Sequence, residues 1–409
     1  MYNTYLGTLQ FPTQASIQLG GWRSLRLHQG WGQHDLAEIV LGYPAAADNP
    51  FMTGTPIIGT FGFPPNYRSW NGYIHTPQRA VDGMITEMTL ECLGPTYALA
   101  GAGQKSWDNV RASDVVQQLC AAHGLAAHVT PTTRVYQHLT QAGMTDWQLI
   151  NRLGRENGRF VIADGVGVRF LSREDILAPF DASTALTFSY APDRSTSILA
   201  WKPTQSDDPG DSPERAAVKS LSGIDASGGQ VIRQVQSATP AAHGSISGLP
   251  SFLDIKTNVT VTSAAEAESR QQAATALSSW KYRMQATLRG TPGLEPGIVL
   301  RMLGLGRYSG TWVVEQVLHV LEQGTYGCVV ELITDALGEL PRQYRNTGGI
   351  ARPFVKATPV LRQSGGGSGA STAFATSQTR WQAQNRVAVA SFLPRPAPAT
   401  STVRRATRV

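Results

Sequence analysis

At 409 residues, the chain is long enough to form two or three domains with a sizeable core. Hydrophobic residues make up 41% and charged residues only 16%, whereas charged residues make up roughly 25% of typical soluble domains. With 41 glycines and 24 prolines as well, this composition favours a turn-rich, mostly β protein whose surface is largely covered by neighbours.

The sequence contains no segment that predicts export or membrane insertion. Its first residues lack the basic stretch followed by an apolar one that a secretory signal has. No apolar run approaches the roughly 18 residues that a membrane helix needs. The cysteines Cys92, Cys120 and Cys328 form no CxxC pair, so we expect buried free thiols and neither a zinc site nor a disulfide framework.

The net charge of +6 comes from the C-terminal end of the chain. Eleven of the 35 lysines and arginines follow Pro341, where no aspartate or glutamate occurs, so the residues before it are mildly acidic. A basic tail of this kind could bind nucleic acid or an acidic partner. It lacks the regular aromatic interleaving of a single-strand nucleic-acid binder, and we therefore favour docking onto a neighbouring protein.

The first part of the chain, residues 1–105, has the alternation and turn residues of β-strands. Strand-like runs at 36–41, 56–61, 72–75 and 84–93 are separated by segments rich in glycine and proline. Strands of this length at regular spacing predict a sandwich or a barrel.

The pattern then changes to that of a small α/β module. Ser113 is a good N-cap for a helix that would run to His123, and Gly124 would end it as the residue after the C-cap. Thr145 would begin a second helix that Gly158 ends. Apolar residues at helical spacing mark its buried face: Trp147, Ile150 and Leu153. A hairpin around Asp164-Gly165 would follow.

Strands resume after residue 181, and a second β unit follows. Short strands are expected at 186–190, 197–201, 217–219 and 230–232, with loops between them. A helix from Ala264 to Arg283 would then lead into glycine-punctuated strands that include 298–303, 311–317 and 326–333. Residues 364–371 have the composition of a flexible linker.

The two β regions contain a similar pattern. Gly54 to Gly62, followed by Trp70-x-Gly72, matches Gly297 to Gly304, followed by Tyr308-x-Gly310. Each is a strand that ends in glycine, a short excursion, and an aromatic-x-glycine start to the next strand. Glycine at such points tolerates a positive φ or a close backbone approach, so the pattern suggests duplicated β units.

Three blocks of sequence, in this order, resemble a known family. The first is Ala112-Ser113-Asp114 with His123-Gly124-Leu125, and the second runs from Thr145-Asp146-Trp147 to Asn157-Gly158. The third joins Leu294-x-Pro296-Gly297 to Tyr308-Ser309-Gly310-Thr311-Trp312. Together they resemble the late control gene D family of phage tail proteins. These are the baseplate hub proteins of long-tailed phages, related to the base of type VI secretion spikes. The resemblance spans roughly residues 20 to 340.

The resemblance implies a mainly β fold with an α+β insert, built from two tube-like β-barrel domains and a small two-helix α/β module. The implied domains are as follows: a first barrel at 1–105, completed by strands within 180–255; the insert module at 106–180; returning strands and loops at 181–262; a second barrel with its helix at 263–340; and a basic extended tail at 341–409.

The resemblance also implies a structural role. Hub proteins of this kind form a homotrimeric ring whose six barrels adapt a six-fold tail tube to a three-fold spike or tail tip. The implied partners are further copies of the chain, the tail tube or distal tail protein, and the spike or tip protein. The tape measure protein and then DNA would pass through a central channel. The expected location is the virion tail, with assembly in the host cytoplasm.

The residues give little sign of enzyme chemistry. His28, His34 and Asp35 are metal-ligand types but fit no usual spacing, so a surface cluster near a turn is the favoured interpretation. His319, within a strand, fits a structural histidine better than a general base. Motifs of the G-x-S-x-G, H-E-x-x-H and P-loop types do not occur. We therefore predict a protein that is not an enzyme, with no catalytic, cofactor-binding or metal-binding residues.

Two alternatives stay open at this stage. A tail-associated peptidoglycan hydrolase could use Glu156 and Asp164 as a glycosidase pair, although both positions suit solvent-facing acids. A receptor-binding or glycan-binding tail protein would need exposed aromatic platforms, for which Trp31, Trp70 and Tyr67 are the candidates.

Overall fold

A computed structural model of the chain describes residues 6–10, 22–44, 51–82, 85–191, 196–203, 218–224, 231–237, 253–256, 264–277, 280, 282–322, 325–335 and 337. All of them belong to one compact unit, Met1–Thr347. The basic tail and the 364–371 segment lie outside the described residues. The described part is mainly β, as the sequence predicts.

The elements are these, in chain order. The N-terminal strands are β1 Leu6–Gln10, β2 Trp22–Gly30, β3 Leu36–Pro44, β4 Pro56–Phe63, β5 Asn66–Asp82 and β6 Ile85–Leu93. The middle of the chain forms β7 Ser106–Arg111, α1 Ala112–Ala122, β8 Ala126–Val129, β9 Val135–Thr140, α2 Asp146–Asn157, β10 Phe160–Asp164, β11 Gly167–Leu171 and α3 Arg173–Leu177. The rest comprises β12 Thr187–Ser189, β13 Ile198–Pro203, β14 Val218–Ile224, β15 Val231–Ser237, β16 Leu253–Lys256, α4 Ala264–Leu277, β17 Tyr282–Arg289, β18 Val299–Leu303, β19 Gly310–Glu322 and β20 Thr325–Thr334.

Two groups of six strands share one pairing order. The N-terminal repeat, β1–β6, pairs in the order β1-β4-β5-β6-β3-β2. The C-terminal repeat, made of β12, β13 and β17–β20, pairs in the order β12-β18-β19-β20-β17-β13. When the six strands of each repeat are numbered in chain order, both repeats pair in the order 1-4-5-6-3-2. The outer strand differs in direction, since β1 is antiparallel to β4 whereas β12 is parallel to β18.

The irregularities of the two repeats also coincide. β5 bulges against β6 between Ile74 and Thr76, and β19 bulges against β20 between Val314 and Gln316. β2 bulges against β3 immediately after Trp22, and β13 bulges against β17 immediately after Ile198. Bulges are specific features that bend a strand at a defined residue, so their coincidence shows that the repeats share a detailed backbone plan.

The glycines before β4 and β18 are equivalent as well. The Gly54 N–H donates to the Ile74 carbonyl over 2.7 Å, and the Gly297 N–H donates to the Val314 carbonyl over 2.7 Å. Both glycines have a φ of +84°, which side-chain-bearing residues rarely adopt. The sequence pattern that suggested duplication therefore has a structural counterpart at this point.

The predicted alignment of the two aromatic-x-glycine motifs is wrong by two residues. The strand pairing places Trp70 opposite Gly59 and makes it equivalent to Gly310, while Gly72 is equivalent to Trp312. The two hairpins differ in length, since 11 positions separate Gly59 from Trp70 (70 − 59) and 8 separate their equivalents, Met302 and Gly310 (310 − 302). The spacing from a preceding glycine therefore does not fix a residue's position in the strand.

One continuous sheet joins the repeats. β2 pairs with β3 on one side and with β19 on the other, in an antiparallel register that runs from Gly30–Gln316 to Ser24–Glu322. Within the described strands, no pairing closes either repeat into a barrel. Of the strands within 180–255, which the sequence assigned to the first barrel, β12 and β13 instead pair with β18 and β17.

Each repeat has its own apolar core. The N-terminal core includes Leu27, Ile39, Phe61, Trp70 and Leu90, and Leu321 of the C-terminal repeat packs into it. The C-terminal core includes Met284, Leu288, Leu300, Trp312 and Val330. Burial of such side chains contributes roughly 1.5–3 kcal/mol each, and Leu321 anchors β19 to the N-terminal core.

The insert module, residues 106–180, follows the prediction for its second helix. α2 covers Asp146–Asn157 and begins with a capping box between Thr145 and Gln148. It ends at Gly158, which is left-handed with a φ of 63°. The predicted apolar face is buried, and the predicted hairpin forms between β10 and β11.

The predicted start of α1 is wrong. Arg111, not Ser113, is the N-cap, and the helix begins at Ala112. The Thr132 hydroxyl accepts the Ser113 backbone N–H at 3.2 Å, so a distant residue satisfies a first-turn donor. Gly124, with a φ of 68°, follows the C-cap as predicted.

The helix before the last strands is shorter than predicted. α4 ends at Leu277 and β17 begins at Tyr282, within the segment predicted as helix. Every second residue of β17 is buried, and the residues between them are more exposed. This two-residue period fits a strand on the sheet. The buried residues are Tyr282, Met284, Ala286 and Leu288. β14, β15 and β16 form a separate three-stranded sheet, and the predicted strands at 217–219 and 230–232 fall on β14 and β15.

Candidate functional site

We call the junction between β2 and β19 the seam, because it joins the two repeats into one sheet. Seven residue pairs connect the two strands. Arg26 of β2 donates from Nε to Glu322 Oε1 of β19 at 2.8 Å and from Nη1 to Glu38 Oε1 of β3 at 3.3 Å. One arginine thereby links three adjacent strands across both repeats.

Beside the seam, Arg68 of β5 bridges the repeats through a polar network. Its Nη2 donates to Gln29 Oε1 at 2.7 Å, and its Nη1 donates to the Leu294 carbonyl at 2.7 Å. Its Nη2 also lies 3.2 Å from Glu295 Oε1, and the arginine side chain is only 12% exposed. Charge-assisted bonds in such a shielded place are strong and directional, so this network fixes the position of one repeat against the other.

His319 occupies the centre of the same network. It is fully buried, with Nδ1 2.9 Å from the Tyr326 hydroxyl and Nε2 3.1 Å from the Leu294 carbonyl. Burial, together with the Arg68 charge, lowers the pKa of His319 well below its usual value, so the ring is neutral. These contacts fit the structural histidine that the sequence favours.

Cys328 completes this cluster without forming a reactive pair. Its Sγ lies 3.3 Å from His319 Nδ1, a spacing that a catalytic cysteine–histidine pair could also show. Burial raises the pKa of the Cys328 thiol to about 12, however, so the nucleophilic thiolate does not form near neutral pH. Both groups are inaccessible, and their contact supports packing.

Of the residues considered as metal ligands, Asp35 is buried, His28 and His34 are half-buried, and the three have separate partners. His28 Nε2 lies 3.3 Å from Gln316 Oε1, and the His34 ring packs on Trp147 with centroids 4.4 Å apart. Asp35 is 1% exposed. The expected surface cluster is therefore wrong, because the insert module and the seam cover this turn. Among the described residues, no group of three or more His, Cys, Asp or Glu side chains could hold a metal ion.

Asp35 is an unusual buried carboxyl group. It accepts a hydrogen bond from Gln29 Nε2 at 2.8 Å, but its other oxygen has no hydrogen-bond partner among the described residues. Burial raises the pKa of Asp35 to about 7, although the Gln29 bond and the Arg68 charge act in the opposite direction. The group is thus held partly protonated near neutral pH.

Glu156 and Asp164 do not converge on a common site. Glu156 accepts the Tyr136 hydroxyl at 2.9 Å and lies near Arg152 and Arg134. Asp164 Oδ1 accepts the backbone N–H groups of the hairpin turn that follows it. The two acids have separate partners, an arrangement that gives no support to a glycosidase pair.

The three aromatic candidates do not form a platform. Trp70 is 2% exposed in the N-terminal core, and Trp31 packs against Phe160 with ring centroids 4.6 Å apart. Tyr67 alone is well exposed, at 46%. As candidates for a binding platform, Trp70 is therefore buried and Trp31 is half-buried between elements.

A polar site in the insert module joins two of the sequence blocks. Asp146 Oδ2 lies 2.8 Å from His123 Nε2 and 3.1 Å from Lys105 Nζ, and Oδ1 accepts Gln141 Nε2 at 2.6 Å. Burial acts to raise the pKa of Asp146, but the hydrogen bonds from His123, Gln141 and Lys105 outweigh it and lower that pKa. The site therefore connects the end of α1 to the start of α2.

Sequence analysis gave no indication of the seam network. Arg68 is separated from Leu294 by 226 residues and from His319 by 251. A polar residue within a strand pattern carries no local signal of partners so far away. The sequence does show the two motifs that contain this site, His123-Gly124 and Thr145-Asp146-Trp147. It does not predict the contact between His123 and Asp146.

No described helix is long and apolar enough to cross a membrane. The fold has close counterparts among solved structures. A 43 kDa tail protein of prophage MuSo2 from Shewanella oneidensis is similar with a TM-score of 0.60 and 14% identity, over 82% of this chain and 100% of that one. A tail protein from Neisseria meningitidis MC58 also has a TM-score of 0.60, with 12% identity, over 81% and 97%.

The fold also extends to secretion machinery. An Escherichia coli component of the type VI secretion system, described as structurally similar to bacteriophage T4 tail proteins gp27 and gp5, has a TM-score of 0.51 and 11% identity. That similarity covers 82% of this chain and 79% of the other. The chain thus has the fold of phage tail and type VI secretion proteins, and identities this low define the fold alone.

Sequence comparison adds little to this. A family model described as the Alg8 N-terminal domain matches residues 42–175, about a third of the chain. Its limits fall inside β3 and α3, so it does not follow the boundaries of the folded units. No curated protein matches the sequence.

Proposed function

We propose that the chain is a structural component of a phage tail, a baseplate hub protein related to the late control gene D family. Three copies would form a ring that adapts the six-fold tail tube to a three-fold spike or tail tip. The observation that carries this proposal is the internal duplication, in which both repeats share a strand order and the positions of two bulges.

Duplication is what this kind of symmetry matching requires. A three-fold ring of single-repeat subunits would present three equivalent surfaces, whereas three copies with two similar repeats present six. Closed ring symmetry is the usual arrangement of homo-oligomers, and a head-to-tail contact generates a ring when its rotation closes. We propose that each repeat forms one tube-like barrel within that assembly.

The same proposal assigns the remaining parts. The first barrel would lie within 1–105 and the second within 263–340, joined by β12 and β13 of the 181–262 segment, and the insert module would occupy 106–180. The partners would be the tail tube or distal tail protein above and the spike or tip protein below. The ring would enclose a channel for the tape measure protein and DNA, in a virion tail assembled in the host cytoplasm. The tail, 341–409, would dock onto a neighbouring protein.

We also propose that the chain has no enzymatic role. The similar structures named above are tail and secretion components. The histidine and cysteine nearest to a catalytic arrangement, His319 and Cys328, are fully buried, and their pKa values are shifted away from reactivity. Incubation with purified peptidoglycan should release no soluble fragments, and their release would contradict this part of the proposal.

Oligomeric state gives the first test of the ring. The purified full chain should elute with a mass three times its own 44.0 kDa when light scattering is measured during size-exclusion chromatography. Labelled antibodies against it should bind virions at the end of the tail tube. A chain that is monomeric at all concentrations and absent from that position would overturn the proposal.

A further inference from the structure

The described chain contains one seam, between β2 and β19. Because the repeats are duplicated, the chain also contains a second pair of strands equivalent to β2 and β19. In the seam, β2 fills the edge of β19 beyond its bulge, at residues 316–322. The equivalent of β2 in the C-terminal repeat is β13, and the equivalent of this part of β19 is the part of β5 from Thr76 to Asp82. Within the described residues, β13 pairs only with β17, and this part of β5 pairs only with β6.

Burial reflects the difference between the filled edge and the open one. Leu318 and Val320 of β19 are buried where β2 covers their strand. Gln78 and Ala80, at the equivalent positions of β5, are exposed. Among the described strands, this side of β5 has no strand partner, and backbone donors and acceptors on such an edge can pair with a further strand.

The charges of the seam are repeated at the two open edges. Arg26 of β2 binds Glu322 of β19. The equivalent of Arg26 in the C-terminal repeat is Lys202 of β13. The two residues occupy the same register position, since Arg26 pairs with Glu38 of β3 and Lys202 pairs with Gln285 of β17, the counterpart of β3. The register position of Glu322 corresponds to that of Asp82 at the end of β5. A basic residue on one strand and an acidic residue on the other are thus retained.

We propose that β13 of one copy pairs antiparallel with β5 of the next copy and so repeats the seam between subunits. Transfer of the seam register sets Lys202 opposite Ala80 and places Asp82 diagonally beside it, as Glu322 lies beside Arg26. The inference rests on the proposed ring, for which it names the contact between copies. The contact is head-to-tail, the type that builds rings.

The composition of β13 suits this role. Pro203, at its end, lacks an N–H donor, and prolines within sheets occur on edge strands. Leu199, at the bulge, is 51% exposed, and Lys202 is exposed. Lysine and proline on an edge discourage indiscriminate strand addition, so pairing at β13 requires a partner that offsets the Lys202 charge, and Asp82 of β5 has the opposite charge.

A disulfide between copies tests the register. Ala80→Cys combined with Lys202→Cys places two thiols opposite each other, while the native Cys92, Cys120 and Cys328 are buried and do not interfere. Mild oxidation of the full-length double variant should produce covalent trimers on a non-reducing gel. Each single variant should remain monomeric on that gel.

The matched control moves one cysteine along β13. Ala80→Cys with Leu199→Cys separates the thiols by about 10 Å, since a strand rises about 3.3 Å per residue, and it should cross-link at less than about a tenth of the rate. Equal rates for the two pairs would overturn the register. A native-size trimer whose Ala80/Lys202 pair stays uncross-linked would overturn the contact and leave the ring intact. A wild-type monomer would overturn the ring itself.

Charge reversal gives a second, independent measurement. Lys202→Glu should weaken trimer formation at least about tenfold, because opposed like charges at an interface are costly, whereas Lys202→Arg should leave it unchanged. Adding Asp82→Lys to Lys202→Glu should restore most of the loss. No effect of Lys202→Glu on the trimer would contradict the proposed contact.

Discussion

Buried polar residues, not catalytic ones, are the distinctive side chains of this molecule. Asp35, Arg68 and His319 lie where the two repeats and the insert module meet. Asp35 is bound by the nearby Gln29, whereas Arg68 contacts His319 of the distant C-terminal repeat. Buried charged groups are costly unless they are paired and hydrogen-bonded. Their arrangement here therefore specifies one relative position of the repeats.

Asp35 should make stability depend on pH. Its folded pKa is raised to about 7 from 3.8, so between those pH values the native state keeps a proton that the unfolded state has lost. Stability should therefore fall as pH rises through this window, by about 1.4 kcal/mol per pH unit at most, and level off above pH 7.

Asp35→Asn should remove that slope. Urea unfolding of the variant at pH 5 and pH 7 should give free energies that are closer together than those of the wild type. Asp114→Asn, at an exposed aspartate that accepts the Ser113 hydroxyl, serves as the control and should retain the wild-type slope. An unchanged slope in Asp35→Asn would show that another group controls the dependence.

Asp146 should be important for the insert module alone. Asp146→Asn removes a carboxylate that is bound by His123, Lys105 and Gln141, and losing such a site should cost about 2–4 kcal/mol. Hydrogen exchange should speed up in α1 and α2 and remain unchanged in the two repeats. Exchange that rises equally throughout would contradict the view that this site is local to the module.

At the level of elements, α2 shows what a sequence can predict. Its capping box and its left-handed Gly158 lie within a few residues of its ends, so local chemistry determines both limits. The start of α1 depends on Thr132, 19 residues from Ser113, and its prediction failed. The predicted helix ran into the first two residues of β17, because the alternating pattern of that strand closely follows α4.

The placement of β12 and β13 shows a second limit. Their short patterns identify strands but not partners, because strand pairing depends on residues about a hundred positions away. The duplication itself was detectable, since glycines mark backbone positions that few other residues can occupy. Its register was not, because the β4–β5 and β18–β19 hairpins differ in length.

The equivalence of Gly72 and Trp312 leads to a prediction about β5. The Trp70 ring lies over Gly72, and a Cβ added there would come within 2.2 Å of Trp70 Cη2 and 2.8 Å of the Leu93 carbonyl oxygen. Gly72→Ala should therefore destabilise the protein by about 1–3 kcal/mol.

Gly101→Ala is the matched control, because nothing lies within 4 Å of a Cβ added at Gly101. Thermal unfolding of both variants should show a lowered midpoint for Gly72→Ala alone. Equal midpoints would mean that Trp70 and β6 can move aside, and that this contact does not hold β5 in place.

At the scale of the whole molecule, one contact joins the two repeats, and among the described strands a matching pair of edges has no strand partner. The seam joins the N-terminal repeat to the C-terminal repeat, and the open edges of β13 and β5 have the residue types to extend the same contact to a second copy. A protein built in this way is suited to assembly, which agrees with its low charge content and with the scarcity of reactive groups among its described residues.

The central claim is that three copies form a ring of six similar repeats. Cryo-electron microscopy of the purified full chain, viewed along the ring axis, tests it most directly. The account predicts three subunits around an open channel, with six similar β-rich densities at nearly equal angles. A monomer, a two-fold dimer, or a ring in which the two repeats of each subunit lie at different radii would contradict it.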